Sequence, residues 1–405
     1  MSRRRRSKIF AAIAAGEDED ESAAPEGEFN ATWHATTSDY EDVIDGASAG
    51  DLILLAAGTY GPWLGTDKAI TLAPEPGENV TMQVGDLRDG EGGWTIDGCH
   101  TEISVSTNGM VREALPFSST GITLEYVYHQ TGGTPHTDIT IRRCWFTETF
   151  SALVDVGSSV LNWTFDRCYF DGLDDANVEA ALQVYGTTVL IKNCLFNNLT
   201  ADGVKLSAGT GHTVQDCEFR DVNPHGGGNH TDCIQQNGAT GGTFVRNFFV
   251  GFEQGIGIFD GTASNVITDN VLDNRPEPAV HWITMGADNP ASTVNHNTVW
   301  GDNSSGQYPS IVVGSKPAMA LSISSVKNNI IMGTFSTAGI AGGSDGVPTD
   351  NDHNMFSGAT APNIDGTPTF VGGASPDTYQ GFKLTSGSAG RNAASDAADV
   401  GARIS

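Results

Sequence analysis

Between two glycine clusters the chain reads GGGNHTDCIQQNGATGG (226–242), which brings His230, Asp232, Gln235 and Asn237 into one short stretch. An imidazole and a carboxylate can move protons, and amides can grip hydroxyl groups. A related stretch, ADGVKL (201–206), supplies Asp202 and Lys205. Another, EQGIGI (253–258), supplies Glu253. Asp202, Asp232, Lys205 and His230 form the expected catalytic set. Two neighbouring carboxylates can divide acid and base roles, because like charges held close push their proton affinities apart. Lys205 or His230 could instead serve as the base that removes a proton next to a carboxylate-bearing carbon. An ammonium held between carboxylates is a poor base, which opposes that role for Lys205. Ca2+ on Asp202, Asp232 and Glu253 would remove the objection and neutralise an acidic substrate. Tyr185 and Phe259 offer flat faces, and Gln183, Gln235, Asn237 and His281 offer polar contacts, of the kind sugars use.

Such residues act together only if the fold stacks them, and the cysteines show how it does. ITIRRCWF (139–146), WTFDRCYF (163–170), VLIKNCLF (189–196) and HTVQDCEF (212–219) are one phrase repeated. It continues without cysteine in TFVRNFFV (243–250), VITDNVLD (266–273), TVNHNTVW (293–300), SVKNNIIM (325–332) and TDNDHNMF (349–356). Counted from the cysteine, the register runs 144, 168, 194, 217, 248, 271, 298, 330, 355. Short β segments and turns repeating at this period predict a β-solenoid. The cysteine column is expected to be a buried ladder of free thiols. The asparagines at 193, 247, 270, 297 and 329 are expected at a turn, since Asn tolerates left-handed backbone.

Each repeat carries a second strand. Leu182, Val204, Ile234, Ile256 and Val280 align as one inward column, with Val184, Leu206, Gln236, Ile258 and Trp282 as the next. The alternate positions then face outward: Gln183, Lys205, Gln235, Gly257 and His281 in one column, and Tyr185, Ser207, Asn237, Phe259 and Ile283 in the other. Asp202 and Asp232 precede equivalent strands and are expected on the solvent side. The whole set would make one polar shelf. The plain alternative is a solvated sheet face.

Composition narrows the partners. The chain of 405 residues carries a formal net charge of −28, which repels nucleic acid. No apolar run approaches the length of a membrane span. The absence of a CxxC pair disfavours zinc. Residues 1–28 join a basic cluster (Arg3 to Arg6, Lys8), a short apolar stretch and an acidic run (Glu17 to Glu21). This segment reads as a disordered tail, a secretory signal, or a peptide that docks on a larger assembly.

The repeats resemble those of right-handed parallel β-helix proteins, including pectate lyases, polygalacturonases and phage tailspikes. TTSDYEDVIDGASAGDLILLAAGTYGPW (36–63) resembles the first coil of such proteins, with a cap helix and an opening strand. GTPTFVGG (366–373) and FKLTSGSAGRNAASDAADVGARI (382–404) resemble the tail that ends many of them. The resemblance implies an all-β chain: a tail at 1–28, a single right-handed parallel β-helix at 29–356 with an N-terminal cap helix, and a capping segment at 357–405.

ADGVKL, TDCIQQ and EQGIGI are similar to the polygalacturonase motifs NTDG, DDC and GHG, on successive coils. Asp202 matches the NTDG aspartate and Asp232 the second aspartate of DDC. Thr231 stands for the first aspartate and Gln254 for the histidine, and no RIK motif is evident, which puts that mechanism in doubt. The resemblance implies recognition, and cleavage by hydrolysis or β-elimination, of an acidic polysaccharide outside the cell or on a virion surface. A homotrimeric virion spike docked through residues 1–28 is one form of this. The alternative is a non-catalytic structural or adhesive β-helix.

Overall fold

The structure is a computed structural model. It describes residues 24–63, 65–84, 92–99, 121–128, 136–146, 152–158, 160–171, 180–223, 231–259, 263–275, 281–285, 291–301, 311–313, 325–333, 340–342, 350–357 and 359–405.

Alternation of apolar and polar residues in segments of three to six residues dictates short strands, and the repeat stacks them in parallel. Sheet I is a 13-stranded parallel sheet running from Thr32–Ala35 to Asn351–Asp352. Sheet II follows it in each coil, in strands such as Tyr169–Asp171, Leu195–Leu199, Glu218–Val222, Phe248–Phe252 and Val271–Asn274. Sheet III completes the coil with Ala180–Val184, Asp202–Leu206, Asp232–Asn237, Gln254–Phe259 and His281–Met285. Inward side chains of all three fill one core. The single parallel β-helix expected from the sequence is the fold. The helix Tyr40–Gly46 buries Tyr40 and Ile44 into the first coils, with Asp39 at its N-cap position. The Asp39 carboxylate accepts from Thr36 N and Oγ1 rather than from the helix.

The buried thiol ladder is present: Cys144, Cys168, Cys194 and Cys217 are fully buried, and all six cysteines are free. Its continuation differs from the expected register by one residue. Thr213 pairs with Thr243, and Glu218 with Phe248, so Asn247 and not Phe248 follows Cys217. The column continues through Asn270, Asn297, Asn329 and Asn354, all fully buried. The asparagines thus sit in the two-residue turn between sheets I and II, as expected, but of the five only Asn193 is itself left-handed. The left-handed residue is the one before the column: Arg143, Arg167, Asn193, Asp216, Arg246, Asp269, His296, Asn328 and His353 all have φ between 50° and 59°. Each buried Asn accepts a backbone N–H from the coil before it; Asn270 N donates to Asn297 Oδ1 at 3.0 Å and Asn297 N to Asn329 Oδ1 at 2.9 Å. Parallel to the thiols runs a stack of Phe146, Phe170, Phe196, Phe219 and Phe249, with centroids 4.5–5.0 Å apart and rings within 8° of parallel.

A second register differs by three residues. Ile256 pairs with Ile283 and Ile258 with Met285, so Ile283 and Met285 are the inward residues rather than Val280 and Trp282. Val280 and Trp282 offered one apolar pair two residues apart, Ile283 and Met285 another, and β-pairing took the later one.

Residues 360–365 close the end of the stack: Ile364 pairs with Met355, and Asn354 N donates to Asn363 Oδ1 at 2.9 Å, so Asn363 takes the next place in the column. Residues 366–405 then lie along the side of the coils. Phe370, Tyr379, Phe382 and Leu384 pack on the outward residues Phe248, Val271, Ile330 and Met355 of sheet II. Arg403 makes a bidentate pair with Asp269, and Arg275 lies 4.0 Å over the ring of Trp300. The segment expected to cap an end does so with its first residues and also covers a lateral face, because sheet II turns large apolar side chains outward there. At the other terminus residues 1–23 lie outside the described residues, while residues 24–26 are bound to the coils, so a boundary at 28 cuts through a docked segment.

Candidate functional site

The outward column of sheet III is fixed by pairing: Gln183 beside Lys205, Lys205 beside Gln235, Gln235 beside Gly257, and Gly257 beside Thr284. Four members stand where the sequence placed them. Thr284, not His281, holds the fifth place, as the three-residue shift requires. His281 instead pairs with Gln254 at the start of the strand. His230 lies outside the described residues.

The two aspartates sit where sheet II turns into sheet III. Asp202 pairs with Ala180 and Asp232 with Gln254. Both were expected on the solvent side, and both are buried, at 6% and 0% exposure. The reason is local. The Asp202 carboxylate turns to the next coil, where Oδ1 accepts from Asp232 N at 2.8 Å. The Asp232 carboxylate accepts from Gln235 Nε2 at 2.9 Å. It leans over Gly257, where an added Cβ would stand 2.6 Å from Asp232 Oδ1 and 2.5 Å from the Phe259 ring. A side chain at position 257 would therefore displace the carboxylate or the ring. Glycine is required there for its lack of a side chain.

Glu253 makes separate contacts. Its Oε2 accepts from Thr231 N at 2.9 Å and lies 3.4 Å from Thr231 Oγ1. Among the described residues no three acidic, His or Cys side chains gather as a set that could hold a metal ion. The proposed calcium ligands do not fit that role: Asp202 and Glu253 are each turned to a backbone N–H, and no step is derived through the ion.

Lys205 and Tyr185 are partly exposed, Phe259 likewise, and Asn237 is exposed. Gln183 Nε2 donates to the Tyr185 hydroxyl, which fixes the amide against the ring. Gln236 faces inward as expected; its Nε2 donates to Ala239 O at 2.7 Å and Asn265 Oδ1 at 2.8 Å. Burial pushes the Cys233 thiol well up, and the charges of Asp232 and Asp202 add to this, so Cys233 is no nucleophile. The surface thus joins a partly exposed ammonium, the exposed Asn237 amide and two rings, over the buried amides of Gln183 and Gln235 and a buried carboxylate pair. It can grip a hydroxylated, acidic chain. Sequence reasoning missed Thr284, and it named Thr231 and Gln254 only as departures from a motif, though both border the site. The one signal for the buried pair was Gly257, a glycine amid strand residues.

No helix among the described residues is long and apolar enough to cross a membrane. No curated protein matches the chain. Among solved structures it is similar to a pectate lyase, at 15% identity, 92% of this chain and 96% of that one, and a TM-score of 0.45. It is similar to PfbA, a surface adhesin of Streptococcus pneumoniae, at 13% identity over 79% and 85%, with a TM-score of 0.47. It is also similar to a tailspike of an E. coli bacteriophage solved with a pentasaccharide, at 10% identity and a TM-score of 0.41; 83% of this chain aligns with 58% of the tailspike. Residues 155–353 match the family model described as "Right handed beta helix region". Three parallel sheets closing on one core, with the family model matching residues 155–353, make the fold a single right-handed parallel β-helix.

Proposed function

We propose that the outward side of sheet III recognises an acidic polysaccharide, outside the cell or on a virion surface. The observation that carries this is the placement of Lys205 as a partly exposed cation in a column of amides, between Gln183 and Gln235. On a chain of net charge −28, an anionic polymer needs such a local cation to approach. Asn237 meets hydroxyl groups, Tyr185 and Phe259 meet ring faces, and the buried amides of Gln183 and Gln235 hold Tyr185 and Asp232 in place.

Cleavage is part of the proposal, with β-elimination the favoured chemistry: His230, the remaining base in the sequence set, would take the proton beside the substrate carboxylate as the C–O bond to the next sugar breaks and a C=C bond forms, the leaving oxygen taking a proton from water. Lys205 would pair with the substrate carboxylate and stabilise the charge that develops beside it. The buried pair Asp202 and Asp232 supports this as a scaffold: it positions the backbone of the neighbouring coil and the Gln235 amide. Direct proton transfer by carboxylates so enclosed has less support, which sets hydrolysis second.

The test is incubation with a panel of acidic polysaccharides. Unsaturated products are read by ultraviolet absorbance, reducing ends separately, and binding by calorimetry. Lys205→Gln should weaken binding of the recognised polymer about tenfold or more, as loss of a charge-assisted contact does. Binding unchanged by Lys205→Gln would overturn the surface assignment. Binding without products would leave an adhesive β-helix.

A further inference from the structure

Three guanidinium groups converge on the side of sheet I, far from the shelf on sheet III. Arg143 is 3% exposed; its Nε donates to Asp97 Oδ1 at 2.8 Å and its Nη2 to Oδ2 at 2.6 Å. Arg142 Nε donates to Asp97 Oδ2 at 2.9 Å. Arg167 Nη2 lies 3.2 Å from Asp166 Oδ2, and Lys192 Nζ lies 3.4 Å from the same oxygen. Asp97 is fully buried. The side chains are thus held by the coils themselves. Before any other group is counted, four cations face two carboxylates, on a chain that is strongly acidic elsewhere.

The remaining charge is met by residues 24–26. Glu26 Oε1 and Oε2 lie 2.7 and 2.9 Å from Arg167 Nη1 and Nη2, a bidentate pair, and Oε2 lies 3.4 Å from Arg142 Nη1. Hydrogen bonding to Arg167 holds the Glu26 carboxyl down at about 2. The main chain is read as well. Glu26 N donates to Asp97 Oδ2 at 3.0 Å, Arg143 Nη2 donates to Ala24 O at 2.9 Å, and Arg142 Nη2 donates to Glu26 O.

We infer that Arg142, Arg143 and Arg167 form a docking cradle for an acidic peptide, and that its resident ligand is the chain's own segment around Glu26. A carboxylate alone would satisfy Arg167. The contacts to Ala24 O, Glu26 N and Glu26 O add recognition of the peptide backbone, which favours a peptide over a uronic acid or a free anion. The cradle is built before the segment arrives, because Asp97 and Asp166 orient the guanidinium groups independently of Glu26. The segment is therefore a strap that fastens the chain ahead of the first strand to the side of the coils, across the rungs carrying Asp97, Arg143 and Arg167.

Hydrogen exchange and peptide binding on the full chain test this. In the unmodified chain the amide of Glu26 should be protected. Glu26→Gln and Arg167→Gln should each speed its exchange roughly ten- to hundredfold, as loss of a charge-assisted pair implies, while the control Glu28→Gln should not. A labelled peptide of residues 23–30 should bind the Glu26→Gln chain, more weakly as salt rises, and the same peptide with Gln at position 26 should not. Unchanged exchange in both variants of the pair would overturn the strap. Equal binding of the two peptides, or displacement of the peptide by acetate or by a uronic acid at the same concentration of carboxylate, would overturn recognition of an acidic peptide.

Discussion

One column of this coil is built in two ways. From Cys144 to Cys217 it is thiol; from Asn247 to Asn354 it is amide. In both halves a left-handed residue comes just before it. In both, the side chain reaches the same carbonyl of the coil below: Cys217 Sγ to Ile191 O at 3.7 Å, Asn247 Nδ2 to Val214 O at 2.9 Å. The amide also accepts a backbone N–H, which the thiol does poorly. The phenylalanine stack accompanies the thiols and ends at Phe249, where Leu272 and Val299 take over. The position is thus defined by the backbone. Packing of rings serves one half and a hydrogen-bond chain serves the other.

This contrast sets an order of effects. Phe196→Ala, in the middle of the stack, should cost about 3–5 kcal/mol in denaturant unfolding. Val299→Ala, its counterpart beyond the stack, should cost clearly less; equal costs would deny the rings their role. Asn297→Ala should cost about 3 kcal/mol, because the buried N and Nδ2 of Asn270 lose Asn297 Oδ1 as their acceptor. Cys194→Ala should cost only about 1 kcal/mol, since a weak donor is lost and the carbonyls of the strands keep their ladder bonds. If the cysteine and asparagine variants cost the same, the two halves are not chemically distinct.

The halves also differ at the turn into sheet I. Val189 N donates to His212 Nδ1 at 3.3 Å, and the His212 Nε2–H donates to Ala208 O at 2.9 Å. The equivalent place later in the chain holds Asn265, which accepts from Gly242 N at 2.9 Å. Burial holds the His212 pKa below its usual 6.5. The unfolded chain therefore takes up the proton first. The stability tied to neutral His212 is present above about pH 6.5 and falls as pH drops below it, by at most about 1.4 kcal/mol per pH unit. His212→Asn should flatten this slope, and an unaltered slope would place the proton elsewhere.

The repeat and the inward columns could be read from the sequence because strand period and coil period are both printed in residue types. The one-residue error after Cys217 arose because cysteine and asparagine share no type, so the eye aligned Phe248 on apolarity. The shift at His281–Met285 had the same origin: two apolar residues two apart satisfy either alignment. The outward column was legible at Gln183, Lys205 and Gln235, where alternation is regular. The burial of Asp202 and Asp232 was not, because a corner breaks alternation and the Asp202 carboxylate is met by a backbone N–H of the next coil, 30 residues on.

The segment that lies along sheet II has a consequence for how the molecule is made. Each coil closes on the one before it across a few tens of residues, so winding can proceed rung by rung. The final segment must wait, since Tyr379 meets Asp269 across 110 residues and Arg403 meets it across 134. The entropy of closing such loops grows only slowly with length, so the delay comes from order of arrival rather than from cost. Until then Phe248, Val271 and Trp300 face water as an apolar stripe, the kind of surface on which partly wound chains aggregate. Residues 366–405 thus act as the seal that ends that exposure, and their loss should show first as aggregation during refolding, before any change in the mature coil.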